Sequence, residues 1–317
     1  MGIAAYIKEI GRGHEGARSL DREQAQDLMG QVLDGSVTDL EIGAFALAMR
    51  IKGETVDELI GFAAAMQARM LTVSSDRPVI VIPSYNGARR LPNLTPLLAM
   101  RLAQEGARVI VHGPRHDPAR VTSAEIFHAL GLPACDGATA VHESWLRHEP
   151  AYIATETLSP ALQRLLDVRW VVGLRNSGHT VAKLMRPTAG APALGLSSYT
   201  HPEFGSLMSS FAERTGGDLM LLRGTEGEAV ADPRRCPKIE VWLGGLAQLD
   251  LGCPAQEGTL AELPVLPRAI DAATVALYIQ AVASGEKPAP TPLERQVDLL
   301  MRSLARMESA TPHERRA

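Results

Sequence analysis

The spacing of apolar residues changes character along the chain. Up to about residue 73 it follows helical period, and three helices are predicted there. The first follows Ser19-Leu20-Asp21-Arg22-Glu23, an N-cap with acids in the first turn. It buries Ala25, Leu28, Met29 and Val32 and stops at Gly35. Thr38 and Glu41, spaced as a capping box, open the second, which turns Ile42, Phe45, Ala46 and Met49 inward with the stem of Arg50. The third opens at 54–58 and carries Leu59, Ile60, Phe62, Ala63 and Met66. The small-residue runs 43–48 and 61–65 suit close helix packing, and they are also read as a dimer face.

From residue 79 the pattern shortens. Val79 to Ile82 form a β-branched run between Pro78 and Pro83, as a buried parallel strand would. A helix with Leu97, Leu98 and Leu102 ends at Gly106, a second strand covers 108–111, and Gly113-Pro114 closes it. This is a βαβ unit, and its first loop, 83–90, lies at a strand's carboxyl end, where open α/β sheets bind ligands. The loop has one glycine, Gly87. Pro83 and Pro92 remove donors, and no acid is present to hold a metal. Asn86, Arg89 and Arg90 stand in their place. The expectation is a loop that meets an anion with side chains and cannot wrap a diphosphate with backbone. The plainer reading of Arg89 and Arg90 is solvated surface charge.

Further strands are predicted at 194–202 and 218–223, around a helix at 207–215. The second strand runs into a Gly-rich acidic loop with Thr225, Glu226 and Glu228. A helix at 270–283, a proline-stiffened linker at 285–292 and a last helix at 293–307 follow, with fraying expected at 311–317. Arg295, Arg302 and Arg306 share the outer face of that last helix. The fold class is therefore α/β: an N-terminal helical domain plus a larger α/β domain with a mostly parallel sheet. The expected boundaries are 1–73, completed by about 155–190, for the helical domain, and 74–154 with 191–317 for the rest.

Composition narrows the function. The 317 residues are 45% hydrophobic and 21% charged, ordinary for a globular protein. No apolar run reaches the roughly 18 residues of a membrane span. The N-terminal stretch lacks signal-peptide order. Cys135, Cys236 and Cys253 are scattered with no C-x-x-C, so neither a disulfide framework nor a zinc site is suggested, and a reducing cytoplasm is expected. Net charge is −4, but residues 78–190 carry 12 basic against 8 acidic residues while both flanks are acidic. An aromatic content of 4% argues against base stacking as the main contact with nucleic acid.

The stretch L-D-R-E-Q-A-Q-D-L-M-G-Q-V-L-D-G-S-V-T-D-L-E-I-G-A-F-A-L-A-M-R-I-K-G-E-T-V-D-E-L, residues 20–59, resembles the N-terminal helical domain of anthranilate phosphoribosyltransferase. That superfamily also contains pyrimidine nucleoside phosphorylases. His112, Gly113 and Arg115 match the enzymes' K-H-G-N-R, but Val111 and Pro114 depart from it, and Pro118 and Ala119 replace two serines. P-S-Y-N-G-A-R-R replaces the glycine-rich G-T-G-G-D that holds the ribose diphosphate. Arg169 matches the arginine that faces the anthranilate carboxylate; the other reading is an ion pair with Asp167 or Glu156. Arg175, Asn176, Ser177, His179 and Thr180 lie together, and Lys183 and Arg186 follow His179 at i+4 and i+7, as one positive helix face. His179 alone reads as a packed, hydrogen-bonded histidine. The enzymes' adjacent acids for magnesium are separated here into Glu226 and Glu228.

G-L-R-N-S-G-H-T, S-Y-T-H-P-E, R-G-T-E-G-E and P-R-R-C-P are similar to one branch of that superfamily, the YbiB proteins. The resemblance implies a nucleic-acid-binding homodimer, with phosphoribosyl transfer absent or unproven. The expected anion contacts are Arg89, Arg90, Arg115, Arg169, Arg175, Lys183, Arg186, Arg234 and Arg235. The expected remnant of a substrate site is Asn86, Gly87, His112, Gly113, Asn176, His179, Thr225 and Glu226. No catalytic residue, metal or cofactor is expected; DNA or RNA and a second copy, joined through the N-terminal helices, are the expected partners. The alternative is a glycosyltransferase or phosphoribosyltransferase acting on a nucleoside- or anthranilate-like substrate. A third reading is a structural or regulatory partner with no ligand.

Overall fold

The computed structural model describes residues 2–13 and 15–309. In chain order, α1 (Ala4–Ile10), α2 (Arg22–Leu33), α3 (Asp39–Lys52) and α4 (Val56–Gln67) come first. They are followed by β1 (Val73–Ser75), β2 (Val79–Pro83), α5 (Thr95–Gln104), β3 (Arg108–Gly113), α6 (Ser123–Ala129), α7 (Ala138–Leu146) and β4 (Ala151–Ala154). The chain then returns to helices: α8 (Thr155–Leu158), α9 (Pro160–Val172) and α10 (Ser177–Val181). It ends with β5 (Thr188–Gly190), β6 (Ala193–Tyr199), α11 (Pro202–Thr215), β7 (Leu219–Arg223), β8 (Ile239–Leu243), β9 (Leu246–Ala247), α12 (Ala272–Ala283) and α13 (Thr291–Ser309). Contacts divide the chain into two units, Met1–Leu71 with Thr155–Pro187, and Thr72–Ala154 with Thr188–Ala317.

In the helical unit, capping boxes start α2, α3 and α4 at Asp21, Thr38 and Thr55. Within the stretch expected to hold the first cap, the cap is Asp21. Its carboxylate accepts the Gln24 N–H at 2.8 Å and Gln24 accepts the Asp21 N–H at 3.1 Å, a reciprocal pair that Ser19 stands too early to make. Gly61 packs α4 on α2; a Cβ there would lie 2.3 Å from the Arg22 carbonyl oxygen. The run at Gly43 differs: a Cβ on Gly43 would meet nothing within 4 Å, and Leu40, Leu47 and Ile51 of the same helix are exposed. The two chain segments are joined by Leu71 N–H to the Leu158 carbonyl (2.8 Å), Ser177 Oγ to Glu54 (2.6 Å) and Arg164 to the Leu33 carbonyl (3.4 Å).

At the centre of this unit Glu58 is wholly buried. One carboxylate oxygen accepts the Leu20 N–H at 2.9 Å. The other accepts the Thr55 N–H and hydroxyl at 2.9 and 3.1 Å and the Lys52 ammonium at 2.7 Å.

In the α/β unit the main sheet has the order β4-β3-β2-β6-β7-β8-β9, parallel through β7 and antiparallel at β8 and β9; β1 and β5 form a separate parallel pair. The pairs Ile80↔Val109 and Ile80↔Leu194 set the register on either side of β2. β2 is buried on both faces, as a parallel strand covered by helices requires. Its core includes Ile80, Ile82, Leu98, Val111, Leu196 and Leu222, covered by Ile279 and Leu300 of the last two helices. The strand expected at 194–202 stops at Tyr199 because Pro202 starts α11, well ahead of the predicted 207. The short β1, β4, β5, β8 and β9 escaped the sequence reading. The fraying expected at 311–317 lies outside the described residues.

Candidate anion-binding site at the strand ends

Strand order reverses between β2 and β6, and a crevice at the carboxyl ends of those strands is where such sheets place ligands. The loop after β2 enters it. Ser84 N–H donates to the His112 carbonyl at 2.8 Å, and a Cβ on Gly113 would sit 1.9 Å from the Ser84 oxygen, so only glycine fits there. Tyr85 Oη lies 2.9 Å from His112 Nδ1. Gly87 takes φ +64°, and Ala88 pairs with Val121 as an isolated antiparallel bridge.

The loop's backbone donors converge. Asn86 and Gly87 N–H each donate at 2.7 Å to one oxygen of Glu228, and Thr95 Oγ1 donates to the other at 3.0 Å. Arg89, Arg90 and Leu91 N–H donate to Glu226 at 2.8, 3.0 and 3.2 Å. The loop thus gathers five backbone N–H groups, more than Pro83 and Pro92 led one to expect. Both carboxylates come from the loop after β7. Asn86 Nδ2 and Ser198 Oγ clamp that loop at the Gly227 carbonyl, at 2.6 and 2.7 Å. Glu226 adopts φ +52°, a conformation that costs a non-glycine residue on the order of 1 kcal/mol and is held by these bonds. Burial opposes its charge, but the N–H groups of Arg90, Arg89 and Leu91, with Arg120, outweigh it and hold the carboxyl below its ordinary value.

The resemblance noted in the sequence implies magnesium held by acids at this point. The residues present do not fit it. Both oxygens of Glu226 and both of Glu228 already accept hydrogen bonds from the protein's own donors.

Of the expected contacts in this unit, Arg89 and Arg90 are exposed, and neither guanidinium has an ion-pair partner among the described residues. Arg115 is exposed on the loop after β3. Arg234 is held by Asp232 at 2.8 Å, whereas Arg235 is exposed and lines a cavity of about 580 Å³ with Tyr199, Arg223, Lys238 and Gln256. Thr225 turns inward, its hydroxyl donating to the Val230 carbonyl at 3.0 Å.

In the helical unit Asn176 caps α10, accepting the Gly178 N–H at 2.9 Å and donating from Nδ2 to the Leu165 carbonyl at 2.7 Å. His179 Nδ1 accepts the Asn176 N–H at 3.3 Å. Burial, then the charges of Arg175 and Arg169 and the weaker one of Lys183, push His179 down to about 3, so it is a neutral acceptor at physiological pH. The charges of all three cations are therefore felt at one buried ring. The single helix face expected to carry His179, Lys183 and Arg186 does not form. The α-helix ends at Val181, a 3₁₀ turn covers Ala182–Leu184, and Pro187 bars the α conformation at Arg186.

Three comparisons place this architecture. Residues 4–70 match the glycosyl transferase family helical bundle domain. The crystal structure of anthranilate phosphoribosyltransferase from Thermus thermophilus superposes with a TM-score of 0.67 at 20% identity, covering 96% of this chain and 99% of that one. The Saccharomyces cerevisiae enzyme in complex with PRPP and Mg gives 0.67 at 13% identity, covering 98% and 90%. The fold is therefore that of the anthranilate phosphoribosyltransferase class. In sequence, the Brevibacillus brevis anthranilate phosphoribosyltransferase is 36% identical over 118 residues, 37% of this chain and 35% of that enzyme. The Escherichia coli (strain K12) protein YbiB is 41% identical over 301 residues, 94% of this chain and 92% of that protein. The chain belongs to the YbiB family of the anthranilate phosphoribosyltransferase-like superfamily.

Among the described residues no helix is long and apolar enough to cross a membrane.

Proposed function

We propose that this chain uses a phosphoribosyltransferase scaffold to bind nucleic acid through arginine and lysine side chains, without turning over a phosphoribosyl diphosphate. The observation that carries the reading is the occupied loop after β2. A diphosphate bound there needs backbone N–H donors, and those of Asn86, Gly87, Arg89, Arg90 and Leu91 are taken by Glu226 and Glu228. The exposed side chains of Arg89 and Arg90 remain for phosphates arriving from solvent. Arg169, Arg175 and Lys183, whose charges all act on His179, are the second set of candidate contacts, in the helical unit. Such contacts give sequence-independent affinity. The exposed Leu40, Leu47 and Ile51 of α3 support pairing of two copies through the N-terminal helices.

A second reading, a working pentosyltransferase, draws on the shared scaffold and on the converging donors, which would suit a phosphate if the carboxylates swung away. One preparation tests both. DNA binding should weaken with salt, log affinity falling with log salt by about 0.9 per phosphate contact on duplex or about 0.7 on single strands, while calorimetry with phosphoribosyl diphosphate and magnesium shows no heat. Turnover with anthranilate above the enzyme-free control, abolished by Arg169→Ala, would decide for the second reading.

A further inference from the structure

Two of the three cysteines meet, although 17 residues separate them in sequence. Cys236 Sγ and Cys253 Sγ lie 3.7 Å apart, each partly exposed. The backbone holds the two segments in register on both sides of the sulfurs. Ile239 and Cys253 exchange two N–H···O bonds at 2.9 Å each. Gln256 N–H donates to the Cys236 carbonyl at 2.9 Å, and Cys236 N–H donates to Gln256 Oε1 at 3.1 Å. Pro237 stiffens the intervening chain. A disulfide needs the sulfurs to close from 3.7 Å to about 2.05 Å, and the bonds on both sides hold the two segments together while they do. Cys253 is itself partly exposed, and Cys236 beside it lines the cavity of about 580 Å³ with Arg235 and Lys238, so a small oxidant has a way in to the pair.

We propose that Cys236 and Cys253 are a reversible dithiol–disulfide site that takes oxidising equivalents from a hydroperoxide. The reactive sulfur is that of Cys253. The contact between the two sulfurs lowers Cys253 to about 6 and raises Cys236, which favours the thiolate on Cys253 and the proton on Cys236. The Cys253 thiolate attacks a peroxide oxygen, the O–O bond breaks, and the departing hydroxide leaves as water after taking a proton. The Cys253 sulfenic acid is left. The Cys236 sulfur then attacks the sulfenic sulfur. An S–S bond forms, the S–O bond breaks, and the released hydroxide leaves as water with the Cys236 proton. Two thiols have lost two electrons, and hydrogen peroxide has become two waters. The disulfide ties the cavity wall bearing Arg235 and Lys238 to the segment after β9.

Cys135 supplies an internal control. It is buried, its sulfur meets Ser144 Oγ at 3.7 Å and no other sulfur, and burial pushes its thiol up. The test treats the full-length protein with hydrogen peroxide, counts thiols after denaturation and maps peptides without reduction. The expected result is loss of two of the three thiols, a Cys236–Cys253 peptide pair, and full recovery with dithiothreitol. Cys236→Ser should trap Cys253 as a sulfenic acid that reacts with dimedone. Cys135→Ser should leave the peptide pair unchanged. Links between chains, a link through Cys135, irreversible oxidation of the thiols one by one, or three intact thiols under peroxide that oxidises free cysteine would each overturn the proposal.

Discussion

Glu58 and the pair Glu226 and Glu228 solve one problem in two ways. All three carboxylates accept backbone N–H groups, and Glu58 and Glu228 are fully buried. Glu58 gathers its partners from nearby: Thr55 is three residues away, Lys52 six, and only Leu20 is distant, at 38. It also has a cation, and it holds helices together. Glu226 and Glu228 reach donors 133 to 142 residues earlier, with no ion pair to either carboxylate among the described residues, and they hold the loop after β2, where a ligand would otherwise sit in the proposed reading. A charge with its own counter-ion serves stability. A charge balanced by loop N–H groups stands where a phosphate could stand.

Breaking each side separates these roles. Glu58→Ala strands the Lys52 ammonium and the Leu20 and Thr55 N–H groups; removing one partner of a buried pair costs about 3–5 kcal/mol. Thermal and urea unfolding followed by circular dichroism should register it, and a loss below about 1 kcal/mol would contradict this account of the hub. Glu228→Ala leaves the Asn86 and Gly87 N–H groups and the Thr95 hydroxyl without their acceptor, and should cost about 2–3 kcal/mol by the same measurement.

Glu226→Gln keeps the shape and removes the charge, so its cost should be about 1 kcal/mol near neutral pH. The sign of its pH dependence follows from the lowered carboxyl. The wild-type advantage is fully present above the ordinary carboxylate value and is lost as pH falls through the lowered folded value. Melting temperatures of both forms should converge on the acid side; divergence there would mean that the carboxylate is not held as described. If the second functional reading holds, Glu226→Gln should also admit inorganic pyrophosphate, seen by calorimetry.

The smallest stability effect belongs to Arg89→Ala with Arg90→Ala, within about 0.5 kcal/mol because both side chains are exposed. The same change should lower DNA affinity for all sequences alike and flatten the salt slope by about one unit per contact removed. Unchanged affinity and slope would move the proposed interface to Arg169, Arg175 and Lys183.

The fold class was legible in the sequence because its signals are short-range. The Thr38–Glu41 box, the β-branched run after Pro78 and the glycine at 106 each lie within a few residues of what they specify. The site was legible only in part. Asn86, Gly87 and Glu226 stood out by residue type, yet nothing local says that Glu226 and Glu228 close on the β2 loop. That pairing exists only once β2, β6 and β7 lie side by side. The Cys236–Cys253 contact was missed for the same reason, since a β-bridge and not a C-x-x-C spacing makes it. At Arg186 the expected helix was barred by Pro187, which was in plain view, although it ends earlier still, at Val181.

The division of the helical unit into two chain segments bears on how the molecule is made. Synthesis delivers α1 to α4 first, but α9 and α10 emerge only after β1 to β4 and their helices. At about 5–20 residues per second, the first helices wait on the order of ten seconds for the segment that completes them. Throughout that interval the α2 and α4 surfaces destined for α9 and α10 are open to water. Nascent chains stalled before Thr155 should therefore be captured by chaperones that bind exposed apolar helices, and chains released past Pro187 should escape them.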